Sequence, residues 1–158
     1  MMTLFRESSD IDMPEPIIRR LVLSDAEKVA LIEEQCFAEP WSANAIGMLT
    51  ESNAFGIVCE ADGAVAAYGG MICVLDEGQI TNIATLPSFR RRGLAKKVLL
   101  AMLDEARERK LSFVTLEVRE SNFAAIALYE QLGFFELGKR PNFYRKPTEA
   151  AVIMEKKL

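Results

Sequence analysis

The chemistry in this chain is concentrated in two stretches. The first is Arg90-Arg91-Arg92-Gly93-Leu94-Ala95, followed by Lys96 and Lys97. It joins a strand-like run ending at Thr85 to a helical pattern that starts after Gly93. The first amides of a helix have no internal acceptor and point outward, so an anion can take them up. Glycine and alanine keep side chains out of the way, and flanking arginines offer forked donors to phosphate oxygens. The pattern therefore suits a diphosphate cradle, although by itself it reads equally as a solvated basic turn. It lacks the Gly-Lys-Ser/Thr portion of a Walker loop and the glycine spacing of a dinucleotide fingerprint.

The second stretch is Leu116 to Phe134, with a carboxylate (Glu117) and a phenol (Tyr129). The chain has no histidine. That excludes Ser–His–Asp and Cys–His catalysis and leaves carboxylate, tyrosine, lysine or water to move protons. On a strand over Ser112–Val118, Glu117 faces away from Val114, Leu116 and Val118. Tyr129 follows Asn122 by almost two helical turns, so both project from one side, roughly 10 Å apart. Alone, Glu117 reads as a solvated strand-end carboxylate and Tyr129 as a core residue with its hydroxyl at the rim.

The elements that must position these groups follow from periodicity. The 158 residues, 50% hydrophobic and 27% charged, suit one soluble globular domain. Residues 1–16 are polar, with prolines and no periodicity, and read as a flexible leader; a single domain is expected over 17–158. Ile17–Val22 reads as a strand. Ser24-Asp25-Ala26-Glu27 has the form of a capping box ahead of a helix to about Phe37, and Ser42 can cap a second, short helix. Asp62-Gly63 between the apolar runs Phe55–Ala61 and Ala64–Leu75 signals a hairpin. Gln79–Thr85 is a further strand. Leu94, Val98, Met102 and Ala106 repeat at helical spacing. Ser112–Val118 is a strand, Asn122–Leu132 a helix capped by Asn122, and Gly133 its stop. Phe134–Leu137 and Ala151–Glu155 read as the last two strands, joined by a loop containing proline and arginine. The order implies an antiparallel meander, then one right-handed parallel crossover.

Net charge is −4 and the isoelectric point about 5.0, which argues against general nucleic-acid binding. Cys36, Cys59 and Cys73 show no metal-ligand spacing and read as small buried hydrophobes in a reducing compartment. With no signal peptide and no apolar run of ~20 residues, the reading is cytoplasmic, without a membrane partner.

Two blocks carry a family resemblance. Asn82-Ile83-Ala84-Thr85-Leu86-Pro87 through Arg90–Ala95 resembles the Q/R-x-x-G-x-G/A motif of the GNAT acetyltransferases. Leu116–Asn122, continuing through Ala125-Ile126-Ala127-Leu128-Tyr129-Glu130-Gln131-Leu132-Gly133-Phe134, is similar to that family's bacterial ribosomal-protein alanine N-acetyltransferases. The resemblance runs from about Ile17 to the C-terminus. It implies an α/β (α+β) fold: a mixed, mostly antiparallel twisted sheet of about seven strands with four helices. Acetyl-coenzyme A would bind where the fourth and fifth strands splay apart, and no metal is called for. The backbone of Ile83, Ala84 and Thr85 would hold the pantetheine arm, and Arg91, Arg92, Gly93, Leu94, Ala95 and Lys96 the pyrophosphate. Asn122 would contact the cofactor near its reacting end, with Glu117 as general base and Tyr129 as general acid. Pro40, Trp41 and Tyr144 would wall the substrate site. Here Phe143 stands where the family has the first of two adjacent tyrosines, and few acidic residues precede the final strand, which leaves peptide preference open.

The implied substrate is a protein N-terminus, foremost the alanine of ribosomal small-subunit protein 18. The alternatives are a lysine side chain or small amine in the same fold, a coenzyme A-binding module without catalysis, and a nucleic-acid binder using Arg90–Lys97.

Overall fold

The computed structural model describes residues 14–158. The leader expected over 1–16 lies outside the described residues as far as residue 13. The elements are β1 (Ile17–Arg20), α1 (Ala26–Cys36), α2 (Ala43–Gly47), β2 (Ala54–Ala61), β3 (Ala64–Val74), β4 (Glu77–Thr85), α3 (Leu94–Glu108), β5 (Phe113–Arg119), α4 (Phe123–Gln131), β6 (Phe135–Tyr144) and β7 (Glu149–Lys157). One seven-stranded sheet runs in the order β1-β2-β3-β4-β5-β7-β6. Among the described residues only the β4–β5 pairing is parallel. This is the mixed fold expected, meander first and crossover second.

The hairpin turn lies at Asp62-Gly63, both with positive φ (51° and 78°). That conformation matches the strand twist, and glycine adopts it at little cost. β2 and β3 are buried on both faces. Against one face pack Leu94, Val98, Met102 and Ala106 of α3, all within 2% of full burial. Each large side chain so buried contributes about 1.5–3 kcal/mol. The other face carries a smaller core that includes Val29, Ile32, Ile46, Leu49 and Tyr68. Glycines bring the layers close: a Cβ at Gly69 would lie 2.4 Å from Met102 Sδ, and one at Gly70 2.7 Å from Leu49 Cδ1.

Two local expectations change. Ahead of α1 the reciprocal cap is formed by Asp25, whose carboxylate accepts from the Val22 amide at 2.8 Å. A 3₁₀ turn over Leu23–Asp25 moves the helix start past Ser24. Asp25 is held in turn by both terminal nitrogens of Arg19, each donating at 2.8 Å. Secondly, the expected loop after Leu137 is mostly strand: β6 continues to Tyr144, with a register shift between Arg140 and Tyr144. An edge strand with hardly any buried side chain has no apolar alternation to betray it, and it tolerates Pro141. The cysteines also divide. Cys59 is buried, but Cys36 and Cys73 are only half-buried.

Candidate active site

The site exists because two neighbouring strands stop pairing. β4 and β5 are in register only at Glu77–Phe113, Gly78–Val114 and Gln79–Thr115. Beyond these pairs β4 stays bonded to β3, and β5 to β7. The wedge between them is a cavity of about 810 Å³, floored by Ile80–Ile83 of β4 and Leu116–Arg119 of β5. Trp41, Glu117, Asn122, Tyr129 and Tyr144 all line it. Residues from five separate regions of the chain thus meet at one opening, the expected catalytic pair among them.

A second hollow, of about 320 Å³, lies at the far end of β4. Thr85, Arg90, Arg91, Gly93, Leu94, Ala95 and Lys96 line it, with Leu128 of α4. Arg91 and Gly93 both have left-handed backbone, φ 65° and 75°. Positive-φ residues at a helix start turn successive amides toward one point, forming an anion-binding concavity. A Cβ on Gly93 would meet nothing within 4 Å, so the space above the turn is open to a ligand. The two hollows are joined along β4 by Ile83, Ala84 and Thr85. Ala84's side chain is buried in the smaller core, which leaves its backbone to serve this path. A diphosphate at one end and an acyl thioester at the other therefore fit what the chain provides.

Two expected residues stand elsewhere. Arg92 does not line the turn's hollow: its guanidinium donates to Asp62 at 2.9 and 3.3 Å and lies over the Phe89 ring. Pro40 is exposed and outside the cavity lining, so of that pair Trp41 alone forms wall.

Glu117 points outward on β5, and Arg140 of β6 donates to its Oε1 at 3.4 Å. Asn122 caps α4, its Oδ1 accepting from the Ala125 amide at 3.2 Å, and that cap does not use its NH₂ donors. Tyr129 packs against Phe134 with ring centroids 5.7 Å apart. Burial pushes its phenol up to about 12. Tyr144 is likewise raised to about 12, by burial and then by the Glu117 charge. Both hydroxyls therefore keep their protons at any physiological pH.

Three residues that sequence reasoning missed organise this site. Arg119 lies over the Tyr144 ring at 4.5 Å and donates to Glu149 at 3.1 Å, to Pro147 O at 3.0 Å and to Arg145 O at 2.8 Å. It straps the β6–β7 turn to β5. Glu149 accepts from the Ser121 amide at 2.6 Å, and the Ser121 hydroxyl, that amide and the Arg119 guanidinium together hold its carboxyl below the usual range. The third is Glu33 of α1, fully buried beneath the cavity wall. Its signal was present: it shares the helical stripe of Ala26 and Val29, where a carboxylate is out of place.

The fold, the open turn ahead of α3 and the splayed strands define an acyl-transfer scaffold, and the chain belongs to the acetyltransferase (GNAT) family, whose model matches residues 22–134. It is similar to the ribosomal protein bS18-alanine N-acetyltransferase of Escherichia coli (strain K12), 38% identical over 141 residues, 87% of this chain and 94% of the relative. The enzyme of that name from Salmonella typhimurium is 42% identical over 127 residues, 78% of this chain and 84% of the relative. Among solved structures, the ribosomal-protein-S18-alanine N-acetyltransferase from Escherichia coli superposes with a TM-score of 0.85 at 35% identity, covering 90% of this chain and 94% of that one.

Proposed function

We propose that this acetyltransferase moves the acetyl group of acetyl-coenzyme A to the α-amine of a protein N-terminus, foremost the alanine of ribosomal protein bS18, in the cytoplasm. The single observation that carries this reading is the convergence of Glu117, Asn122, Tyr129, Tyr144 and Trp41 on the cavity opened by β4 and β5. The names of the relatives support the substrate. The bound cosubstrate supplies an acyl group activated as a thioester.

The side chains divide the work. An N-terminal amine has a pKa near 8, so part of it is already the free base at neutral pH; a lysine near 10.4 would cost roughly 3 kcal/mol more to deprotonate. Glu117 is therefore adequate as proton acceptor, directly or through one water, and passes the proton to solvent. Amides on the β5-facing edge of β4 polarise the carbonyl under attack. Tyr129 donates its hydroxyl proton toward the sulfur as charge develops there. A phenol near 12 does not surrender its proton outright to a thiolate whose thiol sits near 8.5, a gap of roughly 5 kcal/mol, so Tyr129 works as a hydrogen-bond donor while the carbon–sulfur bond breaks.

The test is a panel of peptides beginning with Ala, Ser, Gly or Met, incubated with purified protein and acetyl-coenzyme A and read by mass spectrometry. Acetyl on the α-amine of the Ala peptide is expected. Acetyl on a lysine ε-amine with the N-terminus left free would overturn the reading.

A further inference from the structure

The Glu33 carboxylate gathers donors from three elements. The Trp41 amide donates to Oε1 at 2.8 Å, the Tyr68 hydroxyl to Oε2 at 2.6 Å, and Asn82 Nδ2 to Oε2 and Oε1 at 3.1 and 3.3 Å. Two of these donors line the active-site cavity: Trp41 on the loop between α1 and α2, Asn82 on its β4 floor. Tyr68, fully buried in β3, does not.

We propose that Glu33 is a positioning residue that fixes the Trp41 wall against β4 and so sets the width of the acceptor-amine site. The chain could close the helix end with apolar packing, as it does at Val29 and Ile32. Instead it buries a carboxylate at full desolvation, a costly choice unless every lone pair is met. The carboxyl is wholly enclosed, and burial raises its pKa against the pull of all three donors. The bonds explain the choice: a single rigid acceptor holds a loop amide and a strand side chain at a common point, whereas apolar contacts would let the loop slide. The inference rests on the acceptor-site reading above, and its consequence concerns acceptor binding more than chemistry.

Trp41 is the sole tryptophan of the chain, so its fluorescence reports the wall without any turnover. In Glu33→Gln, one acceptor oxygen becomes a donor facing donors. Acrylamide quenching of Trp41 should rise about twofold and the peptide KM about tenfold. The kcat and the acetyl-coenzyme A KM should stay within twofold. Tyr68→Phe removes a bond to the same carboxylate from inside the core, and should lower Tm while leaving quenching and peptide KM within twofold. Equal effects of the two variants on quenching and peptide KM, or none from Glu33→Gln, would overturn the proposal. If Glu33→Gln does not fold, hydrogen exchange of the Trp41 amide in the wild type decides: slow exchange supports the anchor, and exchange at the rate of exposed loop amides refutes it. Absence of peptide acetylation by the wild type would instead defeat the acceptor reading and leave the fluorescence and exchange results standing.

Discussion

Replacing Gly93 by alanine separates the cost of a strained turn from the loss of a ligand seat. The new methyl group meets no atom within 4 Å, so the fold suffers only from holding a residue with Cβ at φ 75°. That conformation costs about 1–2 kcal/mol, which in a domain of this size lowers Tm by about 2–8 °C. The ligand suffers differently. The open space over Gly93 is where a diphosphate would approach the first amides of α3, and each charge-assisted bond lost there is worth about 1.5–3 kcal/mol. A total near 3 kcal/mol corresponds to about a hundredfold in affinity for coenzyme A. Calorimetric titration measures that affinity and a thermal melt the fold. Gly133→Ala is the control: φ is 97°, the new Cβ would meet only the flexible end of Lys156 at 2.7 Å, and Gly133 lines neither hollow. It should lower Tm comparably and leave the affinity alone. If coenzyme A binds Gly93→Ala within threefold of wild type, the turn is not the phosphate seat.

Three further outcomes are expected. Glu117→Gln should reduce kcat by roughly 10²–10³ and flatten its pH dependence; an unchanged pH–rate profile would remove Glu117 from the base role. Tyr129→Phe should lower kcat with coenzyme A affinity within threefold, because the ring still packs on Phe134; a pure binding defect, seen by calorimetry, would contradict the donor role. Asp25→Asn should cost about 2 kcal/mol at neutral pH. Arg19 holds the Asp25 carboxyl below its ordinary value, so its contribution is complete above pH ~4 and fades as pH falls through the depressed folded value. Urea midpoints for wild type and variant should therefore converge below that pH; a constant gap from pH 7 to 3 would refute the assignment.

The order of elements was legible because β2, β3 and α3 bury strongly patterned faces, and the turns announce themselves through Asp62-Gly63, Gly93 and Gly133. The glycine turn ahead of α3 and the outward face of Glu117 were legible from spacing, but their use was not: alone they read equally as a solvated basic turn and a solvated strand-end carboxylate. What stayed hidden depended on contacts distant in the chain. Glu33 falls on the buried stripe of Ala26 and Val29, but its reason for being there appears only when Tyr68 and Asn82 are brought to it. Arg119 shows no purpose until the β6–β7 turn folds over it. β6 concealed itself because its residues face water, so local composition reads as loop even though main-chain pairing makes a strand.

The three-pair seam between β4 and β5 divides the sheet into two panels that share little main-chain adhesion. A long molecule lying in the cleft would act as a rivet across them. Occupancy at a hundred times the dissociation constant adds about 2.7 kcal/mol to the resistance of the whole to unfolding. Much of that gain should surface as slowed amide exchange on both panels, including positions the rivet never touches.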